Sequence, residues 1–168
     1  HCRLADHPEN INAIRVAAGE ADALIGGDLV VSAGAKTIGL TATGRTGAVV
    51  NSHEIITGDF TRDTEFSLPT ERLTLALEAR LRDRVDLFDA SELAKAIIGD
   101  SIFSNMILLG AAWQQGLIPL NLTSIRGAID LNGALVDMNL RAFEIGRWAV
   151  LFPKDAAKLL QPSVVSFP

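Results

Sequence analysis

The chain has 168 residues, 48% of them hydrophobic and 21% charged, with a formal net charge of −5. That length suits one domain, which buries roughly 70% of its unfolded surface without a disulfide or metal staple. The densest basic stretch, Arg80, Arg82 and Arg84, carries Asp83 in its middle, which argues against nucleic-acid binding; apolar runs of about eight residues fall short of the roughly 20 that span a bilayer; and the lone Cys2 excludes a disulfide framework or a cysteine-ligated cluster within this chain.

The apolar fraction is high and mean hydropathy is positive. That excess points either to an Ala- and Leu-rich core or to a surface that another domain covers. A single cysteine fits a reducing cytoplasm. The first residue is His1, no basic-then-apolar leader precedes the pattern, and the expectation is an excised fragment or a processed product.

Residues 1–6 alternate in polarity and are read as a short strand ending at His7-Pro8. Residues 11–17 are weakly extended or helical and lead into a capped turn at 19–22. Residues 28–33 form a β-branched run bounded by Gly26-Gly27 and Gly34, the pattern of a strand buried on both faces. A short helix is expected over 35–43 and a second strand over 47–55. Residues 58–68 read as loop. Pro69 then opens an amphipathic helix to Arg82, with Leu73, Leu77 and Leu81 spaced by four. A third strand spans 85–89, and Ser91 is expected to cap a helix through Ile98 that Gly99-Asp100 ends.

From Ser101 the pattern is helical, with helices predicted to Gln115, over 123–132 and over 135–151, punctuated by Pro119, Gly133 and Pro153. Strands alternating with helices imply an α/β fold, a three-layer α/β/α arrangement with a mainly parallel sheet and a helical C-terminal half. The domain is expected over 1–153, with a mobile extension at 154–168.

Gly34-Ala-Lys-Thr37 lies where a phosphate loop would, but a P-loop needs glycine immediately before the lysine and again five residues earlier. Those positions hold Ala35 and Val30, so a surface lysine at a helix start is favoured. No G-x-G-x-x-G or G-x-S-x-G pattern occurs, so neither a dinucleotide site nor a nucleophile elbow is supported. His1, His7 and His53 lack partners at metal-ligand spacing. Asp86, Asp89 and Asp100 read as caps or solvated charges. No catalytic residue and no metal ligand is assigned.

Ligands in open parallel sheets gather beyond the carboxyl ends of the strands, which nominates Ser32 and Asn51, with Gly34 and Asp89 beside them. The helix from Ser101 is apolar almost all round, and so must be buried or covered. A buried amide costs about 1–3 kcal/mol unless hydrogen-bonded. Asn105, Gln114 and Gln115 within that helix therefore bind backbone, another chain or a ligand, the first being favoured. Asn105 and Gln115 join the candidate ligand or interface residues.

The run Gly99-Asp-Ser-Ile-Phe-Ser-Asn105 followed by Leu109-Gly-Ala-Ala-Trp-Gln-Gln-Gly-Leu-Ile-Pro119 resembles the gamma-type domain of 2-oxoacid:ferredoxin oxidoreductases, with the fused indolepyruvate enzymes nearest. Ala128-Ile-Asp-Leu-Asn-Gly133, Asn139-Leu-Arg-Ala-Phe-Glu-Ile-Gly-Arg147, Ala21-Asp-Ala-Leu-Ile-Gly-Gly-Asp-Leu-Val-Val31 and Val49-Val-Asn-Ser-His-Glu54 are similar to it in order and spacing, over about residues 1–152. The resemblance implies a domain of an enzyme that oxidatively decarboxylates arylpyruvates with thiamine diphosphate, coenzyme A and iron–sulfur clusters, passing electrons to ferredoxin. The cofactors would sit in other domains of that enzyme, which are the implied partners, and this segment would serve structure and the admission of coenzyme A. The family's opening strand and Gly-rich turn are missing here, which implies an uncovered sheet edge or a partner that completes the sheet. Two other readings stand beside it: a free-standing module that binds a nucleotide or coenzyme A, and an interaction domain that self-associates through the apolar helix at 102–113.

Overall fold

The computed structural model describes residues 1–53 and 68–161. Strands β1 (Ala23–Gly26), β2 (Gly47–Asn51) and β3 (Val85–Phe88) form a parallel sheet in that order, with Ile25 opposite Val49 and Val49 opposite Asp86. Parallel neighbours need crossovers, and helices supply them. Helices α1 (Leu29–Ala33) and α2 (Ala35–Leu40) fall between β1 and β2, and α3 (Leu68–Leu81) between β2 and β3. After β3 come α4 (Ala90–Ile97), α5 (Ser104–Gln114), α6 (Leu122–Asn132), α7 (Val136–Leu151) and α8 (Pro153–Leu160). Among the described residues no helix is long and apolar enough to cross a membrane.

The period of two along β2 divides the core. Ala48 and Val50 pack on one side with Leu29 and Ala33 of α1 and Leu77 and Leu81 of α3. Val49 packs on the other with Leu93 of α4 and Ile107 and Ala111 of α5, and α7 lies beyond. Helices thus cover both faces of the α/β fold. The apolar circumference of α5 follows from its position between the sheet and α7, where Ile107, Leu108, Ala111 and Ala112 are all buried. The helix is covered by the chain's own elements, and only Ile102 at its approach stands 66% exposed.

Small residues let α5 and α7 approach closely. A Cβ on Gly110 would lie 1.9 Å from the carbonyl oxygen of Phe143, and one on Gly146 would lie 1.8 Å from that of Ile107. The two helices cross backbone against backbone at reciprocal glycines.

Several expectations are corrected. Residues 28–33 are not a strand: the Asp28 carboxylate accepts from Val31 N at 2.8 Å, a cap that starts α1. Val30 and Val31 stand 64% and 68% exposed, so the β-branched run is not buried on both faces. The strand lies just upstream at β1, where four residues before Gly27 give too short a run for periodicity to register. Residues 1–6 form no strand; His1 and Arg3 bond to Val16 and Arg15 instead. The α4 cap is Asp89, accepting from Glu92 N at 2.8 Å, rather than Ser91. Residues 153–160 form α8, whose Ala156 is buried in the cluster shared by α4 and α5. The loop expected over 58–68 and the tail beyond 162 lie mainly or wholly outside the described residues. The outer edge at β1 carries the half-exposed Ile25.

Candidate functional site

The carboxyl ends of the three strands converge on Asn51, the last residue of the central strand. Its side chain is buried among polar partners. Oδ1 accepts from Ala90 N at 3.0 Å and from His53 N at 3.3 Å, while Nδ2 donates to Ser91 Oγ at 2.9 Å and to the Gly27 carbonyl at 3.3 Å. One carboxamide thus ties the end of β1, the exit of β2 and the start of α4. Ser32 reaches the same corner from α1, donating through Oγ to the Asp28 carbonyl at 2.5 Å. A Cβ on Gly26 would lie 2.0 Å from that hydroxyl, so glycine at the end of β1 is what admits Ser32.

His53, two residues past β2, places Nδ1 3.0 and 3.1 Å from the two carboxylate oxygens of Asp89. Asp89 thereby holds both the imidazole and the first turn of α4, and the ring is fixed with Nε2 directed away from it. Among the described residues Nε2 has no protein partner. Asn105 belongs to this end as well: a Cβ on Gly27 would lie 4.0 Å from its Oδ1. Its side chain is exposed and makes no hydrogen bond among the described residues, so it is not the buried amide expected of an all-apolar helix.

Gln115 is not part of this group. It follows the last turn of α5, ten residues beyond Asn105, a helical separation of roughly 15 Å. There it donates to Asp86 Oδ2. Gln114 beside it accepts from Arg147 Nε at 3.0 Å, and that guanidinium lies 4.9 Å from the centroid of Trp113. Of the four candidates, Ser32, Asn51 and Asn105 gather at the carboxyl end of the sheet and Gln115 sits at the amino end.

The amino end holds a cavity of about 290 Å³ between the start of β2, the start of β3 and the segment after α5. Asp86 and Arg84 line it with Gln115 and Leu117. Burial pushes the Asp86 carboxyl above the usual carboxylate range, and the bond from Gln115 pulls it part of the way back. His53, Ser91 and Arg84 were not read from the sequence as site residues. His53 and Ser91 carried a usable signal, since they lie two and three residues past the carboxyl ends of β2 and β3.

The donor inventory does not suit the cofactors that the resemblance implies for a whole enzyme. An iron–sulfur cluster needs several thiolates, and the sequence has one cysteine. The diphosphate of thiamine is held through a divalent cation on oxygen ligands, and among the described residues no group of three or more His, Cys, Asp and Glu is placed to hold one. These residues fit neither group.

A family model described as pyruvate ferredoxin/flavodoxin oxidoreductase matches residues 1–149. No curated protein and no solved structure matches the chain.

Proposed function

The chain belongs to the pyruvate ferredoxin/flavodoxin oxidoreductase family, and from that membership we propose that it is a gamma-type domain of an indolepyruvate:ferredoxin oxidoreductase. In that reading the whole enzyme decarboxylates an arylpyruvate oxidatively to an acyl-CoA in the cytoplasm. Thiamine diphosphate and iron–sulfur clusters in its other domains supply the carbanion and electron chemistry, and ferredoxin takes the electrons. The present segment contributes structure and the admission of substrate and coenzyme A, and performs no bond-making of its own.

The observation that carries this supporting role is how the strand-end polar groups are used. Asn51, Ser91 and Asp89 direct their hydrogen bonds into the domain itself, joining β1, β2 and α4. A catalytic constellation would instead leave converging groups free to meet a reacting atom. Among the described residues Asn105 is exposed at that end and His53 Nε2 has no partner, and Val30, Val31 and Ile102 are exposed as well. That mixture suits a surface that borders a neighbouring domain.

The test is reconstitution. The remaining domains of the enzyme are assayed for coenzyme A-dependent ferredoxin reduction with indolepyruvate, phenylpyruvate and pyruvate, with and without this chain. Activity that requires the chain and favours the aryl substrates is the expected result. Turnover indifferent to the chain, or a preference for pyruvate, would overturn the assignment. Calorimetry of the chain with coenzyme A separates the second reading: binding lost in Asn105→Ala would make this a ligand-binding module in its own right.

A further inference from the structure

The cavity at the amino end of the sheet lies away from the strand-end group and is not used by the proposed function. Its walls carry opposite charges that do not touch. Asp86 projects from β3, and one of its carboxylate oxygens is bonded to Gln115 Nε2. Among the described residues no cation pairs with Asp86, although it is partly buried. A carboxylate withdrawn from water without a cationic partner is unfavourable. Arg84 and Asp83 line the same cavity, yet among the described residues Arg84 forms no ion pair with Asp83, Asp86 or any other acid. Arg84 and Asp86 thus line one cavity without pairing with each other.

The polarity of the remaining groups orients what could lie there. Because Gln115 donates to Asp86 through Nε2, its Oε1 is left as an acceptor. The last turn of α5 ends at this point and brings the negative end of the helix dipole. Asp86, Gln115 Oε1 and the helix end together favour an ammonium group, whereas Arg84 favours a carboxylate in a fork geometry. Leu117 supplies an apolar wall. Leu117 is held close to the strand because residue 47 is glycine, where a Cβ would come within 2.4 Å of the leucine Cδ2.

We propose that this cavity is a binding site for a free α-amino acid, with the ammonium on Asp86 and Gln115 and the carboxylate on Arg84. A cavity of about 290 Å³ has room for a free amino acid. The site rests on the cavity's own groups and is independent of the family's reaction.

The experiment is a titration of the full 168-residue chain with glycine, L-alanine and L-phenylalanine, followed by NMR at the Gln115 side-chain amide and the Leu117 methyls. Methylamine and acetate serve as one-ended controls. Saturable shifts at both residues are expected with a Kd on the order of 1 mM or tighter for at least one amino acid. Asp86→Asn and Arg84→Gln, each checked for an unchanged amide spectrum elsewhere, should each weaken it about tenfold, and each one-ended control should bind about tenfold more weakly than the amino acid. No saturable shift with any amino acid would overturn the proposal. So would methylamine binding as tightly as the amino acid, or affinity unaltered in Arg84→Gln, because the carboxylate half of the recognition would then be missing.

Discussion

The tightest joint in the molecule is the crossing of α5 and α7, and a single methyl group should open it. In Gly146→Ala the new Cβ would fall 1.8 Å from the Ile107 carbonyl oxygen and 2.9 Å from Ala111 N. Both are backbone atoms within a helix, so no side-chain rotation relieves the contact. Restoring an ordinary carbon–oxygen separation of about 3.3 Å moves the helices apart by roughly 1.5 Å. A gap of that size forfeits much of the dispersion between their facing atoms, which here include Ile107 and Ala111 on one helix and Ala142 and Ile145 on the other. Overpacking costs about 1–3 kcal/mol in general and belongs at the upper end when backbone is struck. Replacing a helical glycine returns about 1 kcal/mol of propensity, which leaves a net loss of about 2 kcal/mol. For a chain of this length that lowers Tm by roughly 4–8 °C. Gly110→Ala meets the Phe143 carbonyl at 1.9 Å and should behave alike. The double variant should cost less than the sum, since helices already separated admit the second methyl more easily. Gly127 in α6 has nothing within 4 Å of its Cβ position, so Gly127→Ala should instead stabilise by about 0.4–1 kcal/mol. Thermal and urea unfolding followed by circular dichroism reads all four. A Gly146→Ala protein as stable as the Gly127→Ala control would refute the close crossing.

Asn51→Ala removes the partner of the buried Ala90 N and Ser91 Oγ together, and at about 1–3 kcal/mol per unsatisfied group the loss should be about 2–4 kcal/mol; urea unfolding with a loss under about 1 kcal/mol would mean that water replaces the amide. Asp86→Asn should raise stability at neutral pH. The folded carboxyl binds its proton more readily than the unfolded one, so the wild-type fold loses stability as pH rises from the ordinary carboxylate range through the raised folded value. The variant carries no such penalty, its advantage should close as pH falls below about 4, and an Asp86→Asn protein less stable than wild type at pH 7 would contradict the burial. Asp28→Ala deletes the α1 cap and should cost about 1 kcal/mol; faster hydrogen exchange at Val31 with α3 unchanged would localise the effect.

The larger elements were legible because their signals are periodic or chemical. Leu73, Leu77 and Leu81 mark one face of α3, of which Leu77 and Leu81 are fully buried. Gly133 ends α6 at φ 70°, in the left-handed region that glycine enters without strain. Residues 28–33 misled because a β-branched run and a capped helix start make opposite claims on the same six positions. The local preference of Val30 and Val31 for extended backbone is weak beside an aspartate bonded to Val31 N and a helix that buries Leu29 and Ala33 against α3. β1 escaped notice because its four residues have too few alternations to announce a period, and its identity depends on pairing with β2.

The polar residues separate along a different line. Asn105 and Gln115 look alike in sequence, two amides in one apolar helix, and composition gives no reason to treat them differently. What divides them is direction along α5. The helix runs from the carboxyl end of the sheet, beside Gly27, to the amino end, beside Asp86, so the same residue type meets solvent at one end and a half-buried acid at the other. Asn51 shows the opposite dependence: its role follows directly from its place as the final residue of the central strand, where neighbouring chain ends must be joined. A rule tied to topology therefore located the strand-end group, while a rule tied to helix polarity alone could not. The amino-end cavity arises from a third kind of relation, between the neighbouring Arg84 and Asp86 and a helix end distant from them in sequence, Gln115. Such a site becomes visible only after the packing of α5 on the sheet has brought the helix end to the start of β3.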